Sequence, residues 1–108
     1  MNFQEGLIML HCHTTFETLS PEQVESTLSI LTNECFVGGQ KAYKLDDGGY
    51  NIDAGENDIR AYYDEDEETL KFICRNERDR AYYDRKLMVF AINHGIDTKR
   101  YANNRNEH

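Results

Sequence analysis

Ile59-Arg60-Ala61-Tyr62-Tyr63-Asp64-Glu65-Asp66-Glu67-Glu68-Thr69-Leu70-Lys71-Phe72-Ile73-Cys74-Arg75 is the stretch on which the fold turns. Leu70, Phe72 and Cys74 alternate with Lys71, Ile73 and Arg75, the period of a half-buried strand. Ile59 to Tyr63 reads as the strand before it, and the five acids from Asp64 to Glu68 close the pair as a hairpin tip. Upstream, Gln40 to Leu45 and Tyr50 to Asp53 flank Asp46-Asp47-Gly48-Gly49, whose residues tolerate positive φ, so a second hairpin is expected there. Downstream, Asn76 can cap a helix from Glu77 to about His94. Tyr83, Leu87, Phe90 and Ala91 form its inward stripe, Arg78, Arg85 and Lys86 face water, and Gly95 with Ile96 makes its stop.

Farther upstream, Ser20-Pro21-Glu22-Gln23 supplies an N-cap Ser, a Pro at the first helical position and the Gln of a capping box. Val24, Leu28, Leu31 and Cys35 follow on one face, predicting a helix from Pro21 to about Glu34, ended before Gly38-Gly39. Gly6 to Thr15 reads as one strand, apolar on both sides at Leu7 to Leu10. The order β-α-β-β-β-β-α implies an α+β fold, an antiparallel sheet of about four to five strands with two helices on one face. Residues 1–96 make a single domain, and 97–108, without periodicity, are expected to fray. Arg-Ala-Tyr-Tyr-Asp occurs twice, at 60–64 and 80–84, too short to be a structural repeat.

The chain has 108 residues, 39% hydrophobic and 11% aromatic, enough for one core. No apolar run approaches the roughly 20 residues of a membrane span. Met1-Asn2-Phe3-Gln4-Glu5 lacks the basic start of a secretory signal, and Cys12, Cys35 and Cys74 are odd in number and widely spaced. There is no Asn-x-Ser/Thr sequon, so a cytoplasmic protein is expected, in the host cytoplasm if phage-encoded.

The formal charge of −8 hides an uneven distribution. Residues 46–68 carry ten acids against one base, net −9, whereas residues 69–108 are net +4. The acids are Asp46, Asp47, Asp53, Glu56, Asp58, Asp64, Glu65, Asp66, Glu67 and Glu68, answered only by Arg60. Such a run can be a solvated set of turns that keeps the protein soluble and guards strand edges. It can also be a working face that enters a Lys/Arg-lined site on a partner, as the phosphates of nucleic acid do, with Tyr62 and Tyr63 adding flat contact surface. A calcium loop fits poorly. An EF-hand needs oxygen ligands at positions 1, 3 and 5, Gly at 6 and Glu at 12, and a start at Asn51 places Gly55 at 5, Glu56 at 6 and Tyr62 at 12.

The basic third suggests nucleic-acid binding through Arg78, Arg80, Arg85 and Lys86. Glu77, Asp79 and Asp84 are interleaved with these residues, so a salt-bridged, solvated helix face is the plainer reading. The positive end can also meet the acidic hairpin of a second copy, a possible homodimer. His11 and His13 would share one side of a strand and could hold a metal, but no third ligand stands at an informative spacing. Cys35, at a helix C-terminus, is badly placed for a thiolate, and Cys12 and Cys74 read as small core residues. No GxSxG, HExxH, GxxxxGK[ST] or GxGxxG pattern occurs, so no catalytic residue and no cofactor are assigned and an enzyme is not expected.

In size and composition the chain resembles small inhibitor and immunity proteins, including phage-encoded blockers of host nucleases and defence complexes. That resemblance implies a stoichiometric inhibitor of a partner with a basic, nucleic-acid-binding surface, and it assigns no residue roles. It leaves direct binding of nucleic acid and of membrane outside the expected function. The alternatives are a metal-dependent enzyme or sensor using His11 and His13, and a nucleic-acid-binding regulator using the basic helix.

Overall fold

The structure is a computed structural model that describes residues 10–35, 42–44, 48–54 and 57–100, with 42–44, 53, 54, 57, 58 and 100 described by their backbone alone. The capping signals act where expected. Helix α1 (Pro21–Cys35) begins with the Ser20 N–H donating to Gln23 Oε1 at 2.8 Å and the Gln23 N–H donating to the Ser20 carbonyl at 3.0 Å. Helix α2 (Glu77–His94) begins with the Asp79 N–H on the Asn76 side chain at 2.9 Å. It ends at Gly95, φ 69°, with the Gly95 N–H on the Ile92 carbonyl at 3.4 Å and the Ile96 N–H on the Ala91 carbonyl at 2.9 Å, the paired C-terminal bonds of a Schellman stop.

Seven strands among the described residues form one antiparallel sheet: β1 (Leu10–His11), β2 (Thr14–Glu17), β3 (Ala42–Lys44), β4 (Tyr50–Ala54), β5 (Asn57–Asp64), β6 (Thr69–Cys74) and β7 (Asp97–Arg100). Their order is β3-β4-β5-β6-β2-β7, with β1 also on β6. Both expected hairpins are present, and β5 meets β6 in the register Asp64↔Thr69, Tyr62↔Lys71 and Ile59↔Cys74. The sheet is larger than expected for two reasons. The single strand read over 6–15 is broken at Cys12-His13 into β1 and β2, with Gly6 to Met9 outside the described residues. Residues 97–100, expected in the frayed tail, pair with β2 from Thr14↔Arg100 to Glu17↔Asp97. Backbone hydrogen bonds to a neighbouring strand order an edge segment that has no apolar period of its own. Residues 101–108, Gln40 and Gly38-Gly39 lie outside the described residues.

Alternation decides the two faces of the sheet. Phe16 of β2, Leu70, Phe72 and Cys74 of β6, Ile59 and Ala61 of β5, and Tyr50 and Ile52 of β4 are buried. They share one cluster with Val24, Leu28 and Leu31 of α1 and Tyr83, Leu87, Phe90 and Ala91 of α2, which places both helices on one face. Phe16 lies at the centre, edge-on to Phe72 at 5.0 Å and stacked on Phe90 at 5.9 Å. The duplicated pentapeptide is a strand at 60–64 and a helix at 80–84.

Candidate functional site

The acidic tip is closed by its own first residue. Asp64 Oδ1 accepts the N–H groups of Asp66 at 3.0 Å and Glu67 at 3.3 Å, an Asx-type turn, and Glu68 takes φ 56° to complete the reversal. Lys71 Nζ lies 3.7 Å from both Asp64 Oδ2 and Glu67 Oε1, so two of the five carboxylates share that ammonium. The Leu19 N–H donates to the Glu68 carbonyl at 3.0 Å, which docks the tip against the segment leading into α1. Glu65, Asp66, Glu67 and Glu68 are exposed and Asp64 is half-buried.

The two tyrosines beside the tip have distinct surroundings. The Tyr63 hydroxyl donates to the Leu19 carbonyl, and the half-buried ring packs against the core cluster. The Tyr62 ring lies on the backbone at Gly49, where any Cβ would fall inside van der Waals contact with it. Both tyrosines, with Tyr50, line a groove of about 870 Å³ beneath the start of α1. Glu22 and Glu25 of α1 and Asp64 and Glu65 of the hairpin also line it. The Tyr50 hydroxyl donates to Glu25 Oε2 at 3.3 Å.

Glu22 and Glu25 were not legible as site residues, because in the sequence they are only water-facing positions on either side of the inward Val24. Of the acids expected in the interface, Asp46, Asp47 and Glu56 lie outside the described residues, and Asp53 and Asp58 are described only as a backbone pair between β4 and β5.

Burial, and then the charges of Glu68, Glu65, Glu22 and Asp64, push the Tyr63 phenol above its ordinary range; burial and then Glu25 do the same to Tyr50. A raised phenol favours the folded state while it stays protonated. Its contribution is therefore present below the ordinary value near pH 10 and is lost as pH rises through the raised one. A Tyr50→Phe/Tyr63→Phe variant is expected to lose less stability than the wild type between about pH 9 and about pH 11. Urea midpoints at the two pH values check this, and an equal loss would place the alkaline sensitivity elsewhere.

The other candidate sites fare differently. His11 is exposed at the end of β1, His13 is half-buried at the bend that follows, and among the described residues no group of three His, Cys, Asp or Glu could hold a metal. Cys12 and Cys74 are buried with sulfurs 4.0 Å apart; the hydrogen bond between them, and then burial, hold the Cys12 thiol far above its usual range. Burial also pushes up the half-buried Cys35 thiol.

On α2, Arg80 lies 3.6 Å from Glu77 and Lys86 sits over the Tyr82 ring at 5.1 Å, while Arg78 and Arg85 are exposed. Asp79 and Asp84 do not belong to the solvated face expected of them. Both are 5% exposed, and Asp84 accepts the N–H groups of His13 at 3.1 Å and Thr14 at 2.9 Å. Among the described residues no helix is long and apolar enough to cross a membrane. Comparison with family models, curated proteins and solved structures finds no match.

Proposed function

We propose that the protein is a non-catalytic, stoichiometric binding protein of the cytoplasm. Its acidic face occupies a Lys/Arg-rich site on a partner protein, of the kind that otherwise holds nucleic acid, and blocks it. The observation that carries this reading is the ten-to-one excess of acids over bases in residues 46–68, five of them presented in sequence on one hairpin tip. A tip closed by Asp64 and docked on Leu19 loses little conformational freedom on binding, which favours affinity. Exposed carboxylates also steer a basic partner over distances of about 10 Å at moderate salt, which gives the association a steep salt dependence.

The test leaves Asp64 in place, since its carboxylate closes the turn. A Glu65→Lys/Asp66→Lys/Glu68→Lys variant and the wild type are used as affinity baits at low and moderate salt, and the retained proteins are identified. The wild type is expected to retain a protein with a Lys/Arg-rich surface in fixed stoichiometry and to displace nucleic acid from it. The variant is expected to bind at least about tenfold more weakly, with an unchanged far-UV spectrum. Equal retention by both baits, or a captured partner that keeps its nucleic acid, overturns the reading.

A further inference from the structure

We propose that Cys12 and Cys74 form a site of reversible oxidation, a dithiol that hydrogen peroxide converts to a disulfide tying the end of β1 to β6. The two residues lie 62 positions apart in the sequence, and the fold brings their sulfurs to 4.0 Å. Strand β1 sets Leu10 against Cys74, so Cys12, with its N–H on the Phe72 carbonyl, stands diagonally across from Cys74 in the same core cluster. A disulfide needs about 2 Å between the sulfurs, so about 2 Å of movement closes the gap. Cys12 sits where the chain can supply it, at the break between β1 and β2. Strand β1 is two residues long and His11 is exposed, so it opens locally with little loss of packing. Such opening admits a small oxidant to residues that are 1% and 0% exposed when the strand is closed.

The surroundings divide the roles of the two sulfurs. Cys12 donates its S–H to the Cys74 sulfur, which holds the Cys74 thiol below its usual range; burial opposes this, Arg80 adds to it, and Asp79 and Asp84 subtract from it. Arg80 is held beside the pair by its bond to the His11 carbonyl at 3.5 Å. Cys74 is therefore the sulfur that reacts as a thiolate, and Cys12, whose thiol is held far above its usual range, is the one that resolves. The Cys74 thiolate attacks one oxygen of hydrogen peroxide, the O–O bond breaks, and the departing hydroxide takes up a proton to leave as water. The Cys12 sulfur then displaces the hydroxyl of the Cys74 sulfenic acid, which leaves with the Cys12 proton as a second water while the S–S bond forms. Two electrons pass from the thiols to the peroxide.

The experiment treats the reduced full chain with hydrogen peroxide under native conditions, blocks the remaining thiols, and maps the sulfurs by mass spectrometry. Cleavage after glutamate separates Cys12 from Cys35. The expected product has lost two hydrogens, carries the Cys12–Cys74 link in at least about tenfold excess over any link to Cys35, and returns to three free thiols with dithiothreitol. Cys12→Ala is expected to leave a Cys74 sulfenic acid that dimedone traps, and Cys35→Ala to leave the pairing unchanged. Absence of the Cys12–Cys74 link, or links to Cys35 in equal amount, overturns the proposal. So does a link that forms only in urea, which would show that the folded chain keeps the two sulfurs apart.

Discussion

Asp84→Ala is expected to destabilise the protein by about 3 kcal/mol, a large loss for a single carboxylate on a helix. The side chain is 5% exposed and receives the N–H groups of His13 and Thr14, where the chain leaves β1 and turns into β2. Cys12 still donates to the Phe72 carbonyl of β6, but at the bend the next two donors have turned to the helix. A hydrogen bond to a charged acceptor contributes about 1.5–3 kcal/mol, and a buried donor left without a partner costs about 1–3 kcal/mol. Thr14 is fully buried and bears the larger share, while water can reach the half-buried His13. Asp84→Asn keeps one acceptor oxygen and is expected to lose about half as much. Urea unfolding of the three proteins checks this. A loss within about 0.5 kcal/mol for the Ala variant would show that the bend does not depend on the carboxylate.

Phe16→Ala is expected to cost about 4 kcal/mol, much of the roughly 5–15 kcal/mol that holds a domain of this size together. Phe16 is fully buried in β2, between Phe72 of the sheet and Phe90 of α2, and it pairs with both Leu70 and Thr98 across its strand. Truncation removes two ring contacts and opens a cavity where sheet and helix meet, and neither neighbouring ring can close it without leaving its own packing. Phe16→Leu, which refills most of the volume, is expected to lose less than half as much. Thermal unfolding by circular dichroism separates the two, and equal losses would mean that volume is not what Phe16 supplies.

The capping residues show what could be read locally. Ser20, Pro21 and Gln23 start α1 and Asn76 and Gly95 bound α2, because each satisfies backbone groups within a few residues of itself. The hairpin of β5 and β6 was legible for the same reason: alternation sets its faces, and a run of acids cannot stay inside it. The tip of the candidate site was read with it. The groove was not, since Glu22 and Glu25 come from a helix some forty residues away in sequence from the tip, and only the packing of α1 against the sheet makes them neighbours.

Arg-Ala-Tyr-Tyr-Asp marks the boundary between the two kinds of information. At 60–64 it is a strand whose Asp64 closes a turn, and at 80–84 it is a helix whose Asp84 holds a distant bend. By itself the sequence determined the α+β class, the two helices, the two hairpins and the concentration of negative charge, all of which follow from bonds and periods within a few residues. Tertiary structure alone decided the break at Cys12-His13, the pairing of Asp97–Arg100 with β2, the burial of Asp79 and Asp84, and the joining of α1 carboxylates to the hairpin. Each of those depends on a partner far along the chain, so its energy exists only once the sheet and helices have met.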